Sequence, residues 1–257
     1  MFSCLKNKTK NFLFFISQFG INLLKLRNLI YFPIFFKDFF NFIKLGGKFS
    51  NIFPILGDHK LSSGSLMPHY FYQDLIVANY IFKKNPKKHV DIGSRVDGFV
   101  SNIASFRKVE VFDIRDNDIG FENIKFSKID ILEVQENFFE YTDSLSCLHA
   151  IEHFGLGRYG DKIDPSAHKI AFQKMLNILK SKGIFYISFP ISSKNKTYFN
   201  MERKFNPMEI FNWSDDFELI NFDLIDDQEQ VYQNFDLEKI NQKKFDNGCG
   251  IYTLMKK

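Results

Sequence analysis

The sequence predicts an α/β fold: a mostly parallel sheet flanked by helices, with an antiparallel C-terminal strand and an N-terminal helical extension. Two observations lead to this prediction. Short apolar runs alternate with segments of helical periodicity from about residue 70 onwards, and this alternation is typical of βαβ units. The first two apolar runs both end in a carboxylate, Asp91 and Asp113, with room for about one helix between them.

Composition divides the chain into a basic, aromatic-rich helical extension over residues 1–60 and an α/β domain over residues 61–257. Residues 1–48 contain eight basic residues and one acid, Asp38, whereas the net charge of the whole chain is +4, so the remainder is slightly acidic. The longest uncharged run, residues 11–24, is shorter than the roughly 20 residues that cross a bilayer. Two interpretations stay open: peripheral contact of residues 1–48 with the inner face of an anionic membrane, or helices packed over the core.

Cysteine usage and charge placement limit the compartment and the partners. Cys4, Cys147 and Cys249 are widely spaced, which argues against a disulfide framework or a CxxC metal site and favours a reducing, cytoplasmic compartment. We expect no nucleic-acid partner, because the excess positive charge lies in the extension and not in the α/β domain. These features do not predict an oligomeric state.

The elements of the α/β domain follow in a regular order. A glycine- and serine-containing segment over residues 46–64 predicts a loop, and residues 69–83 have a helical spacing that ends at Asn85-Pro86. The predicted strands, all short apolar runs, are residues 89–92, 109–112, 124–131, 145–148, 184–189, 217–224 and 251–255. The other predicted helices are residues 98–106, 167–179 and 207–213. No helix is predicted between the last two strands, which favours an antiparallel closing pair.

The ends of the first two strands predict a nucleotide site. In an open parallel sheet, ligands bind outside the carboxyl ends of the strands, and an acid that closes the second strand, here Asp113, can accept both ribose hydroxyls. Gly93 follows the first strand, and a glycine there allows close backbone approach and a positive φ.

Five motifs resemble those of the class I, S-adenosylmethionine-dependent methyltransferases, in the same order, over residues 70–257. They are the turn at 90–93, the acid Asp113, the acid Asp130, the Glu-His segment at 148–153 and the helix-turn-strand element at 179–187. The resemblance implies a Rossmann-like class I methyltransferase sheet and S-adenosylmethionine as the cofactor, with Asp113 at the ribose and Asp130 at the adenine edge. The cofactor-binding residues that we predict on this basis are Asp91, Gly93, Ser94, Arg95, Asp113, Asp130, Ile131 and His149.

Three further segments, at 70–74, 89–99 and 155–161, resemble an uncharacterised bacterial and nematode family of methyltransferase-like proteins that carries a domain-of-unknown-function label. This resemblance implies an association with surface-glycan biosynthesis. The turn departs from the common class I pattern, because Arg95 replaces the usual second glycine. Its guanidinium either clamps the methionine carboxylate of the cofactor in a bidentate manner or fills the site and weakens binding.

The segment from His149 to His153 supplies the candidate catalytic groups. An unperturbed imidazole titrates near pH ~6.5, so His153 or His149 is the predicted general base, and Glu152 is predicted to orient it. Tyr159 and Asp161, on the glycine-containing loop that follows, are alternative acid-base groups. The loop matches G-x-G-x-x-G, but it follows the fourth strand and no acid lies about 20 residues later, which argues against a dinucleotide site.

The same segment also matches H-x-x-E-H, the zinc-binding pattern of inverted zincins. A zincin requires a long helix, whereas Gly155 and Gly157 would end a helix within about two turns. We therefore predict no metal site, and a zinc-dependent hydrolase that uses His149, Glu152 and His153 is the weaker alternative.

The function predicted from these features is methyl transfer from S-adenosylmethionine to an oxygen or nitrogen nucleophile. The expected acceptor is a small molecule or a glycan, such as a sugar or surface-glycan precursor. A second alternative is a methyltransferase-fold protein that binds a cofactor or partner without turnover, and the departure at Arg95 is the feature that suggests it.

Overall fold

The computed structural model describes residues 12–58 and 67–257 of the chain. The chain forms two compact units, Met1–Leu66 and Met67–Lys257. In the described part of the chain, no helix is both long enough and apolar enough to cross a membrane.

The described part of the first unit contains three helical segments. Residues 12–17 are helical, a 3₁₀ helix spans Leu23–Tyr31, and helix α1 spans Phe32–Lys44. The side chain of Asn22 caps the 3₁₀ helix by accepting a hydrogen bond from the Lys25 amide at 3.2 Å. No residue of α1 is buried, so this helix does not contribute to a hydrophobic core.

The second unit contains the predicted sheet. Its α-helices are α2, Pro68–Lys84; α3, Ser101–Ala104; and α4, Ala167–Ile178. Its strands are β1, His89–Ile92; β2, Val109–Asp113; β3, Ile124–Lys128; β4, Thr142–Leu148; β5, Leu179–Ile191; β6, Lys196–Tyr198; β7, Glu202–Lys204; β8, Phe217–Ile225; β9, Val231–Tyr232; and β10, Gly248–Lys256. A π-helical turn spans Val96–Val100, and 3₁₀ helices span Ile131–Glu133, Glu136–Phe138, Ile151–His153, Glu209–Asn212 and Leu237–Gln242.

The strand order confirms the predicted fold class. The main sheet has the order β3-β2-β1-β4-β5-β10-β8-β9, and β6 and β7 form a separate hairpin. Strands β1 to β5 pair in parallel, whereas β10 is antiparallel to both β5 and β8. The sheet is therefore mostly parallel with an antiparallel C-terminal strand, as in a Rossmann-like methyltransferase.

Several elements differ from the sequence prediction. The helix predicted over residues 98–106 is a π-helical turn followed by the four-residue α3, and that predicted over 207–213 is a 3₁₀ helix. Strand β3 ends before the predicted residue 131, because Asp130 accepts a hydrogen bond from the Leu132 amide at 2.9 Å and starts a 3₁₀ turn. The β6–β7 hairpin was not predicted, since its strands are only three residues long.

Hydrophobic clusters cover both faces of the main sheet. On one face, buried residues of α4 such as Phe172 pack with alternate strand residues such as Ile92. On the other face, α2 and α3 contribute residues such as Ile81 to a cluster that contains Val111 of β2. Because both faces are covered, the carboxyl ends of the strands are where a ligand can approach this sheet.

Candidate cofactor and acceptor site

The ends of β1, β2 and β4 meet at one edge of the sheet because these strands pair in parallel and in register. Gly93 follows β1 with φ +68°, and its amide donates to the Phe112 carbonyl at 2.9 Å. A Cβ at this position would lie 3.2 Å from the Cβ of Ala150, which follows β4. The expected reason for a glycine, a positive φ and a close approach, is therefore present.

A cavity lies at this edge and contains seven of the predicted site residues. They are Gly93, Asp113, Asp130, Ile131, His153, Tyr159 and Asp161. Apolar side chains of Ile114 and Phe154 also line it. The cavity thus combines three carboxylates, an imidazole and apolar walls, which is the composition of a small-molecule site.

Asp91 lies outside this cavity, although the sequence predicted a cofactor contact. Its carboxylate is fully buried and accepts hydrogen bonds from Ser94 Oγ at 2.7 Å, from the Ser94 amide at 3.1 Å and from Ser146 Oγ at 2.5 Å. Burial raises the pKa of Asp91 to about 6, although these hydrogen bonds oppose the shift. Asp91 therefore holds the turn after β1 in place from behind the cavity.

Ser94 and Arg95 line a second cavity, which adjoins the first and shares Asp113 and Arg115 with it. The Arg95 guanidinium pairs with Asp97 through bonds of 3.1 Å and 2.9 Å, and its side chain is 44% exposed. Arg95 is not among the residues that line the first cavity. The sequence left open that the Arg95 guanidinium fills the cofactor site. It does not fill the first cavity.

The predicted catalytic groups form one chain of contacts after β4. His149 Nδ1 lies 3.0 Å from Glu152 Oε1, and the same oxygen lies 3.8 Å from His153 Nε2. His153 Nδ1 lies 2.7 Å from the Met201 carbonyl oxygen of the β6–β7 hairpin, so this nitrogen carries the proton and donates it. The Nε2 atom of a neutral His153 is then a lone-pair acceptor.

His149 and His153 differ in their surroundings. Burial opposes protonation of His149, but the Cys249 thiol and the Glu152 carboxylate outweigh it and hold the pKa of His149 well above its usual value. His149 Nε2 and Glu152 Oε2 are both buried without a hydrogen-bond partner. His153 lines the cavity and His149 lies outside it, so the geometry favours His153 over His149 as the base.

The backbone of the His149–His153 segment lacks the long helix that a zincin requires. The segment Ile151–His153 is a single 3₁₀ turn, and His149 precedes it with φ +49°. The two histidines therefore do not share one helix face. Within residues 12–58 and 67–257, no cluster of three or more His, Cys, Asp or Glu side chains is arranged to hold a metal ion.

Asp161 organises the glycine-containing loop. Its carboxylate accepts hydrogen bonds from the amides of Gly155 at 2.7 Å, Gly157 at 3.3 Å and Tyr159 at 3.2 Å. Gly155 has φ +76°, and a Cβ there would lie 2.0 Å from the Asp164 carbonyl oxygen. Asp161 lines the cavity, but these backbone contacts make it a weak candidate for a proton acceptor.

Two arginines at the site were missed by the sequence reasoning. Arg115 binds Asp113 through bonds of 2.9 Å and 2.6 Å, and its guanidinium carbon lies 4.5 Å from the Tyr159 ring centroid. Arg203 of β7 is 4% exposed and donates to the Phe154 carbonyl at 2.6 Å. The spacing of Arg115 from Asp113 was an available signal, whereas nothing in the sequence placed Arg203 beside the loop.

Comparison with solved structures identifies the fold. The N-methyltransferase NodS from Bradyrhizobium japonicum WM9, in complex with S-adenosyl-L-homocysteine, is 12% identical over 72% of this chain and 85% of that chain, with a TM-score of 0.50. An S-adenosylmethionine-dependent methyltransferase from Clostridium acetobutylicum ATCC 824 is 10% identical over 72% and 91%, with a TM-score of 0.50. These similarities show that the chain has the class I methyltransferase fold.

Sequence comparison gives a family. No curated protein matches the chain. The family model described as Caenorhabditis protein of unknown function, DUF268, matches residues 98–257, which is more than half of the chain. The match includes β2 to β10 together with the loop that lines the cavity, and the chain therefore belongs to the DUF268 family.

Proposed function

We propose that the chain is an S-adenosylmethionine-dependent methyltransferase. One observation supports this most directly: Gly93, Asp113 and Asp130, from three successive strand ends, line a single cavity at the carboxyl edge of the sheet. The fold is the one in which NodS is solved with S-adenosyl-L-homocysteine. The residues suit the cofactor, because a glycine permits close approach of the ligand and two carboxylates can accept from a nucleoside.

We assign the cofactor contacts as follows. Asp113 binds the ribose hydroxyls, Asp130 and Ile131 meet the adenine, and Gly93 faces the methionine end. Arg95 lines the adjoining cavity, from which its guanidinium can reach the methionine carboxylate. Asp91 and Ser94 support the turn from behind.

The sulfonium of S-adenosylmethionine supplies a methyl group that is already activated for transfer. The chain must therefore align an oxygen or nitrogen nucleophile and remove its proton. We assign proton removal to Nε2 of His153, whose Nδ1 is fixed on the Met201 carbonyl. Glu152 lies 3.8 Å from that Nε2, where its carboxylate can orient the imidazole.

We propose a small-molecule acceptor, and the family resemblance favours a sugar or surface-glycan precursor.

We also propose a cytoplasmic protein that contacts the inner face of the membrane through the first unit. In residues 12–58, the exposed large hydrophobic side chains include Phe12, Phe14, Phe15, Phe19, Phe36, Phe40, Phe42, Phe49 and Phe53. Basic residues such as Lys37 and Lys44 lie among them, a combination that suits an anionic lipid surface.

Calorimetry with S-adenosyl-L-homocysteine tests the cofactor assignment. We expect the full chain to bind and Asp113→Ala to lose binding by more than about 30-fold, because buried charge-assisted hydrogen bonds to the ribose contribute about 1.5–3 kcal/mol each. Asp116→Ala is the matched control, since Asp116 lines only the adjoining cavity. Unchanged binding by Asp113→Ala would refute the ribose assignment.

Mass spectrometry of the purified chain separates turnover from binding. Co-purified S-adenosylmethionine together with its demethylated product supports an enzyme. S-adenosylmethionine without any demethylated product, before and after incubation with a cell extract, would instead support the non-catalytic binding protein.

A further inference from the structure

The carboxylate that we assign to the ribose is held by a side chain of the protein itself. Asp113 is 8% exposed, and both of its oxygens accept from the Arg115 guanidinium, Oδ1 from Nε at 2.9 Å and Oδ2 from Nη2 at 2.6 Å. The Arg115 amide donates a third hydrogen bond to Oδ1 at 2.8 Å. An ionised carboxylate has about four acceptor positions, so most of them are occupied.

The other side of the same guanidinium faces the loop after β4. Its central carbon lies 4.5 Å from the ring centroid of Tyr159, within the range of a cation–π contact. The Tyr159 ring in turn packs edge to face with His153 at 5.7 Å. Arg115 therefore links the end of β2 to the loop that contains the proposed base.

We propose that Arg115 is an internal occupant of the ribose site that must leave Asp113 when the cofactor binds, and that it thereby sets cofactor affinity. This inference rests on the proposed function. A ribose diol and a bidentate guanidinium compete for the same two oxygens. The Arg115 side chain is 51% exposed, so the ion pair can exchange with water at little cost, and displacement weakens cofactor binding without preventing it.

Displacement of the Arg115 guanidinium also changes the contacts of the loop at 155–161. When the guanidinium leaves Asp113, the planar cation is no longer held in place over Tyr159, and the loop at 155–161 loses a contact. Cofactor binding and opening of this loop are consequently coupled through one side chain. Arg158 offers a matched comparison, because its guanidinium carbon lies 5.3 Å from the same ring while it binds the Met201 carbonyl and not Asp113.

Calorimetry on the full chain with S-adenosyl-L-homocysteine tests the proposal at low and high salt. We expect Arg115→Ala to bind about two- to fivefold more tightly than the unaltered chain at low salt, because the arginine of this pair is half exposed although Asp113 is buried. The difference should shrink at 0.5 M salt, because salt screens the competing pair. Arg158→Ala should bind like the unaltered chain.

Limited trypsin digestion gives a second readout that needs no cofactor. Lys162 lies next to the loop, and we expect faster cleavage there in Arg115→Ala than in the unaltered chain. Equal or weaker nucleotide binding by Arg115→Ala would overturn the proposal while leaving the methyltransferase assignment intact. Absence of binding in both the unaltered chain and Arg115→Ala would refute the proposed function and this inference with it.

Discussion

Two histidines four residues apart are faced by different groups. Cys249 and Glu152 raise the pKa of His149, whereas the Met201 carbonyl fixes the tautomer of His153. The sequence could nominate both rings as bases, since both lie in the Glu-His segment. It could not choose between them, because the deciding partners lie about 50 and 100 residues away along the chain.

His153→Ala tests the choice of base. We expect this variant to bind S-adenosyl-L-homocysteine within about twofold of the unaltered chain and to lose methyl transfer by about 10²–10⁴-fold, the usual contribution of a general base. Transfer of radiolabel from tritiated S-adenosylmethionine to a cell extract measures the activity. Full activity in His153→Ala would remove His153 from the mechanism, and loss of nucleotide binding would make it a structural residue.

Asp74 on α2 makes stability depend on pH. Burial raises the pKa of Asp74 to about 7 from its usual value of 3.8, although a hydrogen bond from Gln73 opposes the shift. Because the folded protein binds the proton more tightly than the unfolded chain, Asp74 contributes stability below about pH 4 that is lost as the pH rises to about 7.

We therefore expect Asp74→Asn to be more stable than the unaltered chain at pH 7.5, by roughly 1–4 kcal/mol, and to differ little from it at pH 4. Urea denaturation at the two pH values measures the change. Asp118→Asn, at an exposed carboxylate, is the control and should not reproduce it. A stability difference that is equal at both pH values would contradict the titration of Asp74.

Strands with a local sequence signal were predicted correctly, and elements that depend on distant contacts were missed. Strands β1, β2, β4 and β10 are buried apolar runs, and their sequence signal is local. The β6–β7 hairpin was missed because its short strands are partly exposed and rest on tertiary contacts, notably those of the buried Arg203. The burial of Asp91 could not be predicted for a related reason: its partner Ser146 belongs to β4, and pairing between strands is not visible in a single segment.

Two glycines of the loop after β4, both with positive φ, differ in the room available for a Cβ. Gly155 combines φ +76° with a potential Cβ clash of 2.0 Å against the Asp164 carbonyl oxygen. Gly160 has a similar φ of +81°, but a Cβ there would meet nothing within 4 Å. Alanine substitutions at Gly155 and Gly160 therefore separate the free-energy cost of a left-handed backbone from the cost of a steric clash.

We expect Gly160→Ala to lower the free energy of unfolding by about 1–2 kcal/mol, the cost of a left-handed alanine. Gly155→Ala should cost clearly more, about 3 kcal/mol or above, because the carbonyl at Asp164 must also move. Urea unfolding of both variants checks this. Equal losses of unfolding free energy in the two variants would show that the Asp164 carbonyl moves away from a Cβ at position 155 at no cost.

At the scale of the whole chain, hydrophobic burial is unevenly distributed. The buried hydrophobic residues in the described part of the chain lie between Ile76 and Leu254, whereas residues 12–23 and 25–58 contribute only exposed or half-buried side chains. Exposed aromatic side chains of this kind are typical of an interaction surface. The basic residues of the extension favour anionic lipid as the partner of that surface.

We expect the full chain to bind vesicles that contain about a third anionic lipid, and to lose at least tenfold in affinity when Lys25, Lys37 and Lys44 are all changed to Glu, at about 1 kcal/mol per charge. Changing Lys162, Lys169 and Lys174 in the second unit to Glu is the charge-matched control. Vesicle co-sedimentation measures both variants. Equal binding by the two variants would favour a protein partner or a second copy of the chain over lipid.

The β6–β7 hairpin reaches the proposed base through a main-chain carbonyl, that of Met201, and not through a side chain. Any residue except one that alters the backbone path can therefore occupy position 201 without disturbing the imidazole. What the imidazole depends on is the length of the hairpin. Substitutions there are free to reshape the neighbouring surface for a new acceptor, whereas an insertion or deletion of one residue would move the Met201 carbonyl away from His153 Nδ1 and leave the imidazole without the acceptor that orients it.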